Sequence, residues 1–159
     1  MKLIFKESQK FRQWWLWLFL IGSSIIPIAM YYKQIILGEP IGSKPMKDTG
    51  LYVMILVFIL LLVIFWFLEL RTHITNETIT MKYFPFVKRK ITWNDIEPAE
   101  VIDYGFVGGW GIRFPTEYGV VYNTQGSKGL AIKLKTGKKI LIGTQNEKEL
   151  AKVVNQCLK

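Results

Sequence analysis

Leu51–Leu68 reads LYVMILVFILLLVIFWFL, a run without a single charge that Glu69 closes. Large apolar side chains fill every turn of it, and no polar stripe marks a face turned to water. A buried helix of a soluble protein is a poor fit to such a run. About 20 helical residues of this kind cross the ~30 Å of a bilayer's hydrocarbon. The stretch predicts a transmembrane helix. Upstream, Trp14–Tyr32 reads WWLWLFLIGSSIIPIAMYY and is also uncharged. Gly22, Ser23, Ser24 and Pro27 lower its hydrophobicity, allow a bend and leave room for a neighbouring helix. Trp14, Trp15 and Trp17 mark one end, Tyr31, Tyr32 and Tyr52 the other, and Trp66 the return, as expected of aromatic belts at two interfaces. The first run has a long N-terminal region and no small-x-small site after it, so it reads as a retained helix rather than a cleaved signal.

Working outward, the basic residues set the orientation. Lys2, Lys6, Lys10 and Arg12 precede the first run, and Arg71, Lys82, Lys88, Arg89 and Lys90 follow the second. The loop 33–50 carries only Lys33, Lys44 and Lys47, offset by Glu39 and Asp48. The positive-inside rule then predicts that both termini lie on the cytoplasmic side of the membrane. Residues 1–13 form a basic flank, read either as an interfacial amphipathic turn or as a frayed tail that only fixes topology. The hairpin occupies 14–70, with spans 14–32 and 51–70, and a domain of 71–159 follows. No Gly, Pro or Ser linker separates Leu68 from Thr72, so the domain is expected to stay close to the bilayer.

From Arg71 onward the pattern changes to short β-like runs. Thr72–Thr75, Thr78–Phe84, Lys88–Thr92, Ala99–Tyr104, Gly119–Tyr122, Gly129–Leu134 and Lys139–Ile142 predict about seven strands in a small barrel or sandwich. Gly105, Gly108, Gly109 and Gly111 mark a bend, and Thr136–Gly137 a hairpin turn. Thr144-Gln145-Asn146-Glu147 fits a capping box, and Leu150, Val153, Val154 and Cys157 then follow at helical spacing. The helix is expected to cover an open end of the barrel, with Cys157 as a packing residue.

Three stretches carry a resemblance: the hairpin Ile74–Phe84, ITWNDI at Ile91–Ile96, and KTGKKILIGT at Lys135–Thr144 leading into the last helix. Residues 70–159 resemble small bacterial membrane proteins with a pleckstrin-homology-like (PH-like) domain after one or two transmembrane helices. The resemblance implies a PH-like barrel capped by a C-terminal helix, and it implies no general activity. GWGIR at Gly109–Arg113 is also similar to stretches of uncharacterised members.

Chemistry-bearing residues are few. A single cysteine excludes an intrachain disulfide, and a single histidine, His73, argues against a histidine-based metal site. The glycines of 105–111 do not fit a phosphate loop. Asp95, Glu97, Glu100 and Asp103 read as a solvated acidic face. No nucleophile–base–acid set is visible, so the chain reads as non-catalytic, with no cofactor and no metal implied. The formal charge is +9, spread over the chain rather than gathered on one helix, which argues against nucleic acid. Two basic clusters, Lys88-Arg89-Lys90 and Lys133, Lys135, Lys138 and Lys139, are candidates for contact with anionic lipid headgroups. Phe106, Trp110, Arg113 and Phe114 are candidates for a protein interface. The expected function is a membrane-anchored module that binds headgroups, another membrane protein or its own copies. The alternative is a sensor in which a small ligand binds the domain and the helices oligomerise and respond.

Overall fold

The computed structural model describes residues 2–158; Met1 and Lys159, the outer ends of the expected flank and domain, lie outside the described residues. The chain forms two compact units, Arg12–Phe67 and a second built from the residues up to Phe11 together with those from Leu68 onward.

The first unit is a helical hairpin. Helix α1 spans Trp14–Tyr31 and continues through a wider π-type turn, Tyr32–Ile36; α2 spans Asp48–Phe67. At 23 and 20 residues these segments are about 35 and 30 Å long, enough to cross a bilayer. Only 17% of the first apolar window and 6% of the second is buried, which is not how the core helix of a soluble protein looks. Aromatic side chains pair across the hairpin at both ends. Trp17 and Trp66 meet edge to face with centroids 5.9 Å apart, and Tyr31 and Tyr52 are 6.1 Å apart. Leu20, Ser24 and Pro27 form the buried stripe of α1, where the Ser24 hydroxyl donates to the Leu20 carbonyl at 2.7 Å. Gly22 faces open space instead. Asp48 begins α2, where a carboxylate complements the helix dipole, and Gln34 Nε2 donates to it at 2.7 Å.

The second unit holds nine strands, one α-helix and a short 3-10 turn, Trp93–Asp95, among the described residues. Strands β1 (Leu3–Lys10), β2 (Glu69–Thr75), β3 (Thr78–Phe84) and β4 (Val87–Thr92) make an antiparallel four-stranded sheet in that order. Strands β5 (Ile96–Asp103), β6 (Gly111–Thr116), β7 (Gly119–Asn123), β8 (Lys128–Leu134) and β9 (Lys139–Gly143) make a second sheet ordered β5-β8-β9-β7-β6, with β7 and β9 parallel. All seven expected strands are present, and β1 and β6 are additional. The strands form two separate sheets rather than a closed barrel.

The largest departure from expectation is at the N-terminus. Leu3–Lys10 is neither an interfacial turn nor a frayed tail but a strand paired with β2 from Leu3↔Thr75 to Lys10↔Glu69. It is held by burial and by long-range polar contacts. Phe5 and Gln9 are buried, Gln9 Nε2 donates to the Gly143 carbonyl at 2.7 Å, and the Glu7 carboxylate accepts from the Thr144 hydroxyl and the Gln145 N–H, both at 2.7 Å. Those last two bonds also explain a second correction. Thr144 does not cap the final helix; its hydroxyl is committed to Glu7 and accepts the Asn146 N–H at 3.0 Å. Helix α3 therefore starts at Glu147, with Asn146 as the residue before it, and runs to Cys157.

The inner faces of the two sheets form the core. Phe5, Leu70, Ile74, Ile79, Met81 and Tyr83 come from the first sheet, Leu130, Ile132, Ile140 and Ile142 from the second, and Leu150, Val153 and Val154 from α3. Tyr83 donates to the Asn123 carbonyl at 3.3 Å, and burial pushes its phenol well above the usual tyrosine range. Cys157 is half-buried at the end of α3, and burial raises its thiol too. On the other side of the five-stranded sheet, Tyr104, Val121 and Leu141 form a smaller cluster with Ile102, Val107, Tyr118 and Ala131.

Candidate anion-binding face

Strand residues alternate between faces, and residues paired across an antiparallel ladder share one. In the first sheet Phe5, Leu70, Thr72, Ile74, Ile79, Met81, Tyr83 and Ile91 take the inner face and are buried. The other set turns outward. The register aligns it in rows: Lys6, His73, Thr80 and Lys90 in one, and Ser8, Arg71, Lys82 and Lys88 in the next. A third row begins with Lys10, Glu69 and Phe84. This outer face thus gathers Lys6, Lys10, Arg71, Lys82, Lys88 and Lys90 against one carboxylate, Glu69. Arg71 lies directly opposite Lys82, and Lys82 opposite Lys88. Like charges at such positions destabilise a sheet, so the arrangement is not one that stability alone selects. Lys82 is partly compensated by the Phe84 ring, 5.0 Å from its ammonium.

The Glu69 side chain is almost fully buried and bonds both Arg71 and Ser8. The Arg71 guanidinium, more than any other group, holds its carboxyl below the usual range. Between β1 and β2 lies a depression of about 360 Å³ lined by Lys6, Ser8, Glu69, Arg71 and His73. His73 Nε2 is buried there without a hydrogen-bond partner. Desolvation first, and then Lys6 and Arg71, push its pKa below that of an ordinary histidine, so the imidazole is neutral at pH 7.

The expected headgroup residues are divided by this geometry. Lys88 and Lys90 join the outer face. Arg89, between them, belongs to the opposite face and stays exposed, while its Nε donates to the Tyr122 hydroxyl at 2.9 Å and its guanidinium lies 6.0 Å from that ring. Lys138 and Lys139 lie at the β8–β9 turn of the other sheet, and the Lys139 ammonium donates to the Glu117 carbonyl at 3.2 Å. The structure does not bring the two basic clusters together on one sheet. Lys6, Lys10, Arg71, His73 and Lys82 belong to the cationic face, yet reading the sequence as a topological flank overlooks them. The signal was the period-two pattern Lys6-x-Ser8-x-Lys10, set against Phe5-x-x-x-Gln9.

The candidate interface residues also separate. Phe106 and Phe114 are 80% and 72% exposed, whereas Trp110 and Arg113 are half-buried. The Arg113 guanidinium donates to the Trp110 carbonyl at 2.9 Å, and Trp110 Nε1 to the Gly126 carbonyl at 3.3 Å. Tyr118 packs on the small cluster. Of the acidic stretch, Glu97 pairs with Lys133 at 2.6 Å and Asp103 with Lys128 at 3.2 Å. Hydrogen bonds from Ser127, the Gly105 N–H and Lys128 lower the Asp103 pKa. Among the described residues no three His, Cys, Asp or Glu converge as metal ligands would. No protein-family model, no curated protein and no solved structure matches the chain.

Proposed function

We propose that the protein is a non-catalytic integral membrane module whose cytoplasmic domain engages anionic lipid headgroups through the outer face of the β1–β4 sheet. The observation that carries the reading is the unpaired excess of cations in two adjacent rows of that face. Chain connectivity supports it. Lys10 ends β1 shortly before α1 begins at Trp14, and Glu69 opens β2 with only Leu68 between it and the end of α2 at Phe67. The face is therefore tethered within a few residues of two segments long and apolar enough to cross a bilayer. Each basic residue near an anionic surface contributes about 1 kcal/mol of attraction. The cytoplasmic orientation follows from the excess of Lys and Arg flanking the spans. The PH-like resemblance enters only as a fold expectation, supported by the order of strands followed by a C-terminal helix.

A second reading rests on Phe106 and Phe114, whose exposure suits docking to another membrane protein. The two readings separate by experiment. The full chain is reconstituted in nanodiscs of equal phosphatidylglycerol and phosphatidylcholine, released, and its retained lipids counted by native mass spectrometry. The headgroup reading expects phosphatidylglycerol to be enriched, and the enrichment to fall at least tenfold in a Lys82→Glu, Lys88→Glu, Lys90→Glu variant. Equal retention of both lipids by the unaltered protein, alongside a co-purifying protein lost on Phe106→Ser and Phe114→Ser, favours the second.

A further inference from the structure

Within the cationic face, one place differs from the rest. Most of its lysines are exposed and offer only diffuse charge. Between β1 and β2 the surface instead dips into the 360 Å³ depression, with donors of three different chemistries around it. The register explains why they meet. Lys6 is the direct partner of His73, and Ser8 of Arg71, on neighbouring rungs of one face. Such partners have Cβ atoms only about 5 Å apart. Arg71 is paired with Glu69, and Ser8 bonds that same carboxylate. His73 Nε2 is withdrawn from water and has nothing to bond. An unsatisfied buried nitrogen beside two cations costs stability unless something occupies the site.

We infer that this depression is a discrete site for one phosphate group, held by Lys6, Arg71 and His73, with Glu69 and Ser8 as positioning residues for the arginine. The inference rests on the headgroup reading for its setting and goes beyond it in naming a single site. A tetrahedral oxyanion offers acceptors in several directions at once, which suits donors converging from two strands better than a planar carboxylate does. The phosphate could belong to a lipid headgroup or to a soluble phosphate, since both present the same oxygens.

The charged and titratable groups facing His73 are Lys6 on β1, Glu69 and Arg71 on β2, and Lys82 on β3, with the neutral Thr80 directly opposite. The cations outnumber the carboxylate, so an arriving anion offsets the positive field that disfavours imidazolium. Binding and protonation of His73 are then linked, and occupancy strengthens as pH falls below the ordinary histidine value near 6.5 toward the lowered pKa of the empty site.

Because the chain has one histidine, it can be read without assignment. The full-length protein, 15N-labelled at histidine, is placed in three bilayers: a phosphate-free neutral glycolipid, the same lipid with added inorganic phosphate, and the same lipid with phosphatidylglycerol. Phosphorus–nitrogen dipolar dephasing of the imidazole is then measured. The proposal expects no dephasing in the first bilayer and clear dephasing in at least one of the others. Dephasing with phosphatidylglycerol assigns the site to a headgroup, and dephasing with inorganic phosphate alone assigns it to a soluble source. Lys6→Gln, an exposed change that leaves the Glu69–Arg71 pair intact, is expected to weaken the dephasing at least twofold. No dephasing in any bilayer overturns the site. If phosphatidylglycerol enrichment by native mass spectrometry persists in that case, the broader headgroup reading survives; if it is absent too, both fail.

Discussion

At the residue scale, the contacts that hold the domain are specific enough to predict. Leu70 is fully buried on the inner face of β2. Leu70→Ala is expected to destabilise the domain by about 2–5 kcal/mol through lost burial and the cavity left behind, measurable by chemical unfolding followed through domain tryptophan fluorescence. Gly119 opens β7 with φ +74°, and a Cβ there would stand 2.2 Å from the Lys139 carbonyl oxygen. That oxygen is backbone and cannot step aside, so Gly119→Ala should cost more than about 1 kcal/mol and register in the same assay. An ordinary wild-type stability for Gly119→Ala would mean that β7 and β9 are not paired as described. The acid behaviour follows from two groups on the outer face. The folded Glu69 pKa is lowered by Arg71, so its contribution is present above the ordinary glutamate value near 4.3 and drains away as pH falls through the folded value. The folded His73 pKa is also lowered, by burial and then by Lys6 and Arg71, so the unfolded chain takes up the proton first and stability falls as pH drops below about 6.5. Stability against pH should therefore decline in two stages. His73→Gln should remove the upper stage and Glu69→Gln the lower, whereas an unchanged profile in both variants would contradict these environments.

At the scale of elements, β1 matters most. It pairs along its length with β2, and Gln9 and Glu7 reach the C-terminal end of the other sheet. Removing residues 2–10 should leave the β2 edge open, strand Thr144 without its carboxylate partner, and make the domain protease-sensitive in proteoliposomes. A truncated protein as resistant as the full chain would show that β1 is dispensable. The same strand marks where sequence reading reaches its limit. The two apolar helices were legible because hydropathy is a local property and nothing in Leu51–Leu68 competes with it. The hairpin at Thr136–Gly137 was legible for the same reason: the turn glycine has φ +83° and its strands are adjacent in the chain. β1 was not legible, because its partner lies some sixty residues away across the helical hairpin, and basic residues beside an apolar run already have a sufficient explanation as a topological flank. Register hid the site as well. Lys88, Arg89 and Lys90 form one cluster in sequence, but alternation sends the arginine to the opposite face, where it bonds Tyr122, and the lysines to the outer one. The capping box failed for a related reason: its threonine had a better partner in Glu7, far away in the chain.

At the scale of the whole molecule, the pairing of β1 with β2 constrains topology. One strand precedes the apolar helices and the other follows them, so a hairpin that crosses a bilayer must return to the side from which it left. In a Cys157→Ser background, a cysteine at Ser43 in the connecting loop should react with an impermeant maleimide from the side opposite to one at Glu149 on α3. Labelling of both from one side would rule out a two-span arrangement. The proposed headgroup reading turns on whether the cationic face touches the membrane surface. The most direct measurement uses the isotope-labelled protein in nanodiscs containing phosphatidylglycerol and a trace of lipid spin-labelled at the headgroup. Paramagnetic broadening should concentrate on Lys6, Thr80, Lys88 and Lys90 and spare Lys138 and Glu149, and it should weaken when phosphatidylglycerol is replaced by a neutral lipid. Broadening centred on Lys138 and Phe114, or spread evenly over both sheets in either lipid, would contradict the account.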